Sequence, residues 1–96
     1  MSPKNKKKLN ILRKKLDRLD NSLLNIIKIR TEIIKNVIPL KKNKGEIVDK
    51  KRIAFILKKI KKSSLQKKID PIITNKIWKN MIWTYIDLER KLFKKK

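Results

Sequence analysis

Residues 12–30 read LRKKLDRLDNSLLNIIKIR, and the spacing of their apolar side chains governs how the chain can fold. Leu and Ile recur at alternating intervals of three and four residues, which is typical of a helix with a coiled-coil seam. The pattern extends to both sides and meets no Gly or Pro before Pro39, so it predicts one long helix from about Lys7 to Ile38. The seam positions are Leu9, Leu12, Leu16, Leu19, Leu23, Ile26, Arg30, Ile33, Val37 and Leu40.

The predicted long helix exceeds what a compact monomer can cover. It would run roughly 45–50 Å at about 1.5 Å per residue, whereas a compact chain of this size has a radius of gyration of about 13 Å. A partner chain, most simply an identical one, is therefore expected to cover the seam. We predict an all-α homodimer of a single domain, 1–96, with a basic N-terminal arm, 1–7, and a basic tail, 94–96.

Two shorter helices are predicted after the long one. Asp49 is a suitable N-cap for the second helix, and Asp70 followed by Pro71 is a typical start for the third, which should end at about Phe93. The segment 41–46, which contains the only glycine, is predicted to be a loop. The expected inward faces are Ile53, Ile56, Leu57 and Ile60 in the second helix, and Trp78, Ile82, Tyr85, Glu89 and Leu92 in the third.

The composition excludes several kinds of chemistry. The 96 residues include no Cys and no His, so we predict no disulfide and no zinc or haem site, and the usual general base at neutral pH is missing. The net charge of +22 suggests nucleic acid or an anionic membrane as a partner, although a general bias toward Lys would have the same result. Lys residues interrupt the apolar runs, so no membrane span is predicted. Because no apolar signal core follows the basic N-terminus, a cytoplasmic location is expected.

Arg30 occupies a seam position that should be apolar. It either reaches out to solvent and sets the register of a coiled coil, or it is compensated by a bound anion, since burying an unpaired guanidinium costs several kcal/mol. Lys41 follows eleven residues later, about three turns, and so points to nearly the same side. Arg13 lies about 25 Å before Arg30 along a straight helix, so it can join them only from the second chain of an antiparallel dimer.

Glu89 breaks the apolar face of the third helix. It either reaches the edge of the helix to pair with a Lys, or it is a partly buried carboxyl group that holds its proton and donates a hydrogen bond. Trp78 and Trp83 are interpreted as packing residues.

The chain resembles the AroQ-type, all-helical (type II) chorismate mutases from about Leu9 to Phe93. The resemblance is carried by residues 12–30, by VDKKR at 48–52 and by IDPIITNKIWKNMIWTYIDLE at 69–89. It implies an intertwined homodimer of three-helix chains with two shared sites, which rearranges chorismate to prephenate in Phe and Tyr biosynthesis. That reaction is pericyclic and needs no nucleophile, metal or cofactor; it proceeds by binding the reactive conformer and stabilising a polarised transition state.

The resemblance also implies a role for each candidate site residue. Arg13, from the other chain, and Arg30 would each hold a substrate carboxylate, and Lys41 would contact the ether oxygen and a carboxylate. Glu89 falls where relatives have a Gln or Glu that bonds the ether oxygen, which requires a protonated carboxyl group. The positions on the hydroxyl side of the substrate are Asp49 and Arg52.

Three departures from the family pattern keep the activity and one site residue open. Pro39 lies two residues before Lys41, so Lys42 could enter the site instead. Ile53 replaces a Glu, and Tyr85 replaces a Ser, of typical mutases; both resemble the isochorismate-pyruvate lyase branch, which forms salicylate. The chain could also be a catalytically inactive relative or a basic nucleic-acid-binding protein, although it contains no recognised nucleic-acid-binding motif.

Overall fold

A computed structural model describes residues 1–94, and this part of the chain is helical, without strands. The all-α class and the three predicted helices, one long and two shorter, are confirmed. No helix in the described range combines the length and apolarity that a bilayer crossing requires. Lys95 and Lys96 of the predicted basic tail lie outside the described residues. The elements are α1, Pro3–Val37; the 3-10 helices Ile38–Leu40 and Lys44–Glu46; α2, Lys50–Gln66; and α3, Pro71–Leu92.

α1 begins four residues before the predicted start, because its first turn has a cap that the apolar pattern does not reveal. Ser2 Oγ accepts a hydrogen bond from the backbone N–H of Asn5 at 3.2 Å, and Pro3 suits a first turn, where no N–H donor is required. At the other end α1 stops at Val37. Pro39 follows in a 3-10 helix and lacks the N–H that a further α-helical turn would use, so the predicted end is correct to within one residue.

The chain divides into two compact units, Met1–Ile33 and Ile34–Lys96. The first unit consists of most of α1, in which no residue is buried. Ten Leu and Ile side chains between positions 11 and 33 are 39–65 % exposed, so the predicted seam is an apolar row open to solvent. A row of this extent is typical of a surface that another chain covers, and the dimer stays a prediction.

The second unit contains the two shorter helices, whose starts are as predicted. Asp49 Oδ1 accepts a hydrogen bond from the backbone N–H of Arg52 at 3.0 Å and caps α2. Asp70 Oδ1 accepts one from the N–H of Ile72 at 2.9 Å and caps α3, with Pro71 in the first turn. In both cases a short acidic side chain accepts a hydrogen bond from an amide that has no partner within the helix. Its negative charge also interacts favourably with the positive N-terminal end of the helix dipole.

A small apolar core holds the second unit together. Most of the apolar residues predicted to face inward from α2 and α3 belong to it, together with Ile86, which the pattern did not predict. Its centre also includes Ile38 and Ile47 from the segment between α1 and α2. A buried hydroxyl pair joins α2 to α3: Ser64 Oγ and Thr74 Oγ1 are 2.7 Å apart, and the Ser64 hydroxyl donates to the carbonyl of Ile60 at 2.6 Å. The buried apolar residues are Ile38, Ile47, Ile82, Ile86 and Phe93.

Candidate active site

Lys41 and Glu89 form an ion pair in the second unit. The distance from Lys41 Nζ to Glu89 Oε1 is 3.1 Å, and the two side chains are only 19 % and 7 % exposed. Lys41 Nζ also donates to the backbone carbonyl of Ile47 at 3.5 Å. Glu89 reaches this position from the inward face of α3, while Lys41 reaches it from the extended residue that follows Ile38–Leu40. Pro39 thus prevents the helix from continuing and allows Lys41 to turn toward α3.

This arrangement provides a cation in a place that water reaches poorly. Withdrawal from water strengthens the interaction of a charge with its neighbours, so the ammonium group of Lys41 can act strongly on a negative atom beside it. Glu89 accepts hydrogen bonds as a carboxylate and donates one when it is protonated. The pair can therefore bind and polarise an oxygen atom of a substrate, and the carbonyl of Ile47 helps to orient the ammonium group.

Lys41, and not Lys42, lies beside Glu89. The backbone N–H of Lys42 donates to Glu46 Oε2 at 2.9 Å, and its side chain is exposed. Of the two Lys residues after Pro39, the first is the one that enters the apolar interior of the second unit.

Tyr85 lies one turn before Glu89 on the same face of α3 and is half-buried. It therefore places a phenol group, which donates and accepts hydrogen bonds, on the face that carries Glu89. Trp78 is half-buried on this face too, whereas Trp83 is 46 % exposed. Trp78 therefore lies on the predicted face, whereas Trp83, which was also interpreted as a packing residue, is largely open to solvent.

Asp49 and Arg52 both interact with neighbouring residues near the start of α2. Asp49 is exposed and caps the helix. The exposed guanidinium of Arg52 lies 5.4 Å from the centre of the Phe55 ring, within the range of a cation–π contact. Ile53 packs against the apolar core, so this position has an apolar side chain in apolar surroundings.

Arg13 and Arg30 belong to the first unit. Arg13 is exposed, whereas Arg30 is half-buried, which is unusual among the mostly exposed residues of α1. Both are on one continuous helix, seventeen residues or about 25 Å apart, so two side chains of the same chain cannot grip one small molecule together.

Among the predicted site residues, the structure brings Lys41 and Glu89 into contact. Sequence reasoning missed the carbonyl of Ile47, and no signal could have revealed it, because every residue has such a group. In the part of the chain that the structure describes, no three His, Cys, Asp or Glu residues are grouped so as to hold a metal. A separate groove of about 350 Å³ between α2 and α3 contains no predicted site residue; it is lined by Leu57, Lys61, Pro71, Ile72, Asn75 and Lys76.

Comparison with known families identifies the chain. A family model, chorismate mutase type II, matches residues 12–90, which include every predicted site residue from Arg13 to Glu89. No curated protein and no solved structure gave a significant match. The matched range includes most of α1, all of α2 and all but the last two residues of α3. The chain therefore belongs to the type II chorismate mutase family, the isomerases that convert chorismate to prephenate.

Proposed function

We propose that this chorismate mutase works as a homodimer in which each active site is built from both chains. It would supply prephenate for Phe and Tyr biosynthesis in the cytoplasm, as the family implies. The single observation that supports the proposed site best is the shielded pair of Lys41 and Glu89, 3.1 Å apart. It combines a cation and a hydrogen-bonding carboxyl group, the two functions that the ether oxygen of chorismate requires.

The exposed seam of α1 supports the dimer. Ten large aliphatic side chains in the first unit contact solvent, and burying such surface contributes roughly 25 cal/mol per Å². The described residues of the second unit include only five buried apolar side chains, which is few for a stable chain of this size. A second copy that covers the seam would add the missing apolar contacts.

Lys41 and Glu89 would act where the ether bond breaks. As the C–O bond lengthens, negative charge grows on the ether oxygen, and the ammonium group of Lys41 stabilises it. Glu89, which pairs with Lys41 as a carboxylate, would donate a hydrogen bond to the same oxygen when its carboxyl group holds a proton. No covalent intermediate is needed, since the protein only selects the reactive conformer and stabilises the charge that develops.

The remaining site residues would bind and orient the dianion. Arg30 would hold one carboxylate, and Arg13 of the second copy would hold the other, since an Arg side chain can bond both oxygens of a carboxylate. Asp49 and Arg52 would lie on the hydroxyl side of the ring. Tyr85 would line the site one turn before the catalytic carboxyl group.

Product identification tests this function. Purified protein supplied with chorismate is expected to form prephenate, and with isochorismate to form little salicylate or pyruvate. The products can be separated and identified by mass spectrometry. Salicylate and pyruvate as the main products would overturn the proposal in favour of a lyase, and no turnover of either compound would indicate an inactive relative.

The Glu89→Gln variant is expected to keep or raise kcat for chorismate. A carboxyl group donates a hydrogen bond only while it holds its proton, whereas the amide of Gln always has N–H groups to donate. The amide oxygen of Gln can also accept from the ammonium group of Lys41, which lies 3.1 Å from Glu89 in the parent protein, so the cation should stay in place. The measurement is the steady-state kcat for chorismate.

Asp87→Asn is the matched control for Glu89→Gln. It also converts a carboxyl group of α3 to an amide, but Asp87 is exposed and pairs with Arg90 at the surface, at 3.8 Å. Its kcat should equal that of the parent enzyme. A Glu89→Gln enzyme that loses most of its activity, while Asp87→Asn keeps its own, would contradict the proposed role.

A further inference from the structure

Taken as a whole, α2 has the largest fraction of basic residues among the three α-helices. This helix of 17 residues contains seven basic residues and no acidic residue, whereas α3, with 22 residues, contains four basic and two acidic ones. The N-terminal part of α1 is at least as basic, so charge alone does not distinguish α2; the placement of its charges around an exposed aromatic ring does. The basic residues of α2 are Lys50, Lys51, Arg52, Lys58, Lys59, Lys61 and Lys62.

Four residues form one stripe on the solvent side of α2. Lys51, Phe55, Lys58 and Lys62 follow one another at intervals of four, three and four, which places them on one face of a helix. All four are exposed. The opposite face of α2 packs against the core through Ile53 and other aliphatic residues, so the stripe is not needed for packing. Its length is roughly 16 Å at about 1.5 Å per residue.

Phe55 is the unusual member of this α2 stripe. Its side chain is 56 % exposed between Lys51 and Lys58 of the stripe, although exposing apolar surface to water is unfavourable. The guanidinium of Arg52 lies 5.4 Å from the ring centre. An exposed ring among cations is the combination with which proteins bind single strands: the cations follow the phosphates, and a base stacks on the ring.

We propose that the α2 stripe binds single-stranded nucleic acid, with Lys51, Lys58 and Lys62 contacting phosphates and Phe55 stacking on a base. An anionic membrane fits this face less well. A helix that binds a membrane inserts a broad apolar face, whereas the apolar face of α2 is packed in the core and the stripe exposes one ring between charges. The inference does not depend on the mutase activity, because none of these four residues belongs to the proposed active site.

Fluorescence anisotropy with a labelled 20-nucleotide oligouridylate tests the proposal. The triple variant Lys51→Gln, Lys58→Gln, Lys62→Gln should bind at least about tenfold more weakly at low salt, and the slope of log affinity against log salt should fall by about 2, since each phosphate contact on a single strand contributes about 0.7. Phe55→Leu keeps an apolar side chain but removes the stacking surface, so affinity should fall about fivefold or more.

A second triple variant separates the stripe from total charge. Lys76→Gln, Lys79→Gln, Lys91→Gln removes three exposed charges from α3 and leaves α2 unchanged; it should bind RNA nearly as well as the parent. Equal losses in the two triple variants would overturn the proposal, because binding would then follow net charge alone. Unchanged binding by Phe55→Leu would overturn the stacking contact. Vesicles of phosphatidylserine and phosphatidylcholine should not compete for the stripe; if they displace the RNA fully, the surface is a membrane site.

Discussion

Replacing Lys41 with Gln is expected to lower kcat for chorismate by about 10²–10³-fold, the usual loss when one donor to a developing negative charge is removed. Lys41 pairs with Glu89 and its side chain is 19 % exposed, so bulk water cannot take over its role fully. Gln is chosen because its amide can still donate to the Glu89 carboxylate, which limits the loss of stability that an unpaired buried charge would cause. The measurement is the steady-state rate of chorismate loss, together with thermal unfolding.

Lys42→Gln is the control for this prediction. It removes the same charge at the next residue, whose side chain is exposed and whose backbone N–H already bonds Glu46. Its kcat should be close to that of the parent. If Lys42→Gln lost activity and Lys41→Gln kept it, the assignment of the catalytic cation would be wrong. If neither variant lost activity, the pair with Glu89 would be structural only.

Mixing two inactive variants is expected to restore activity. In the proposed dimer, Arg13 comes from one chain and Lys41 from the other, so a mixed dimer of an Arg13→Ala chain and a Lys41→Gln chain has one site without either substitution. Random pairing of equal amounts makes half of the dimers mixed, so about one quarter of the parent activity should return after the chains are unfolded together and refolded. No change within a single chain could produce this recovery.

Two variants of the same half-site provide the control. Arg30 and Lys41 are proposed to enter a site from the same chain, so mixing Arg30→Ala with Lys41→Gln should leave every site defective and restore nothing. Recovery in this second mixture, or none in the first, would contradict the shared site. Sedimentation equilibrium of the parent protein should give the mass of two chains; the mass of one chain would exclude the dimer.

Helix boundaries were readable from local signals. Pro39 ends α1 because a proline beyond the first turn lacks the N–H that the helix needs to continue. Asp49 and Asp70 cap α2 and α3 through hydrogen bonds from amides two or three residues away. The start of α1 was predicted too late, because apolar periodicity says nothing about the polar cap at Ser2. Caps and prolines act over only a few residues, so the residues around a helix end are enough to predict where the helix begins or ends.

The candidate site was predictable only in part. Glu89 and Arg30 are recognisable from sequence because each interrupts an apolar pattern, and both are more buried than charged residues usually are. The sequence does not show whether Lys41 or Lys42 enters the site. In an irregular segment, the side chains of two consecutive residues can point in opposite directions. Asp49 was assigned to the substrate by resemblance and to a cap by pattern, and the cap is what the described chain contains.

Periodicity, prolines and caps are enough to predict three helices, the end of α1, the starts of α2 and α3 and most of their inward faces, because each is a property of neighbouring residues. The contact of Lys41 with Glu89, the carbonyl of Ile47 beside them and the burial of this pair depend on how α3 packs against the segment after α1. Residues so far apart in the chain come into contact only when the apolar faces of their helices pack together. A pattern of neighbouring residues contains no information about such contacts.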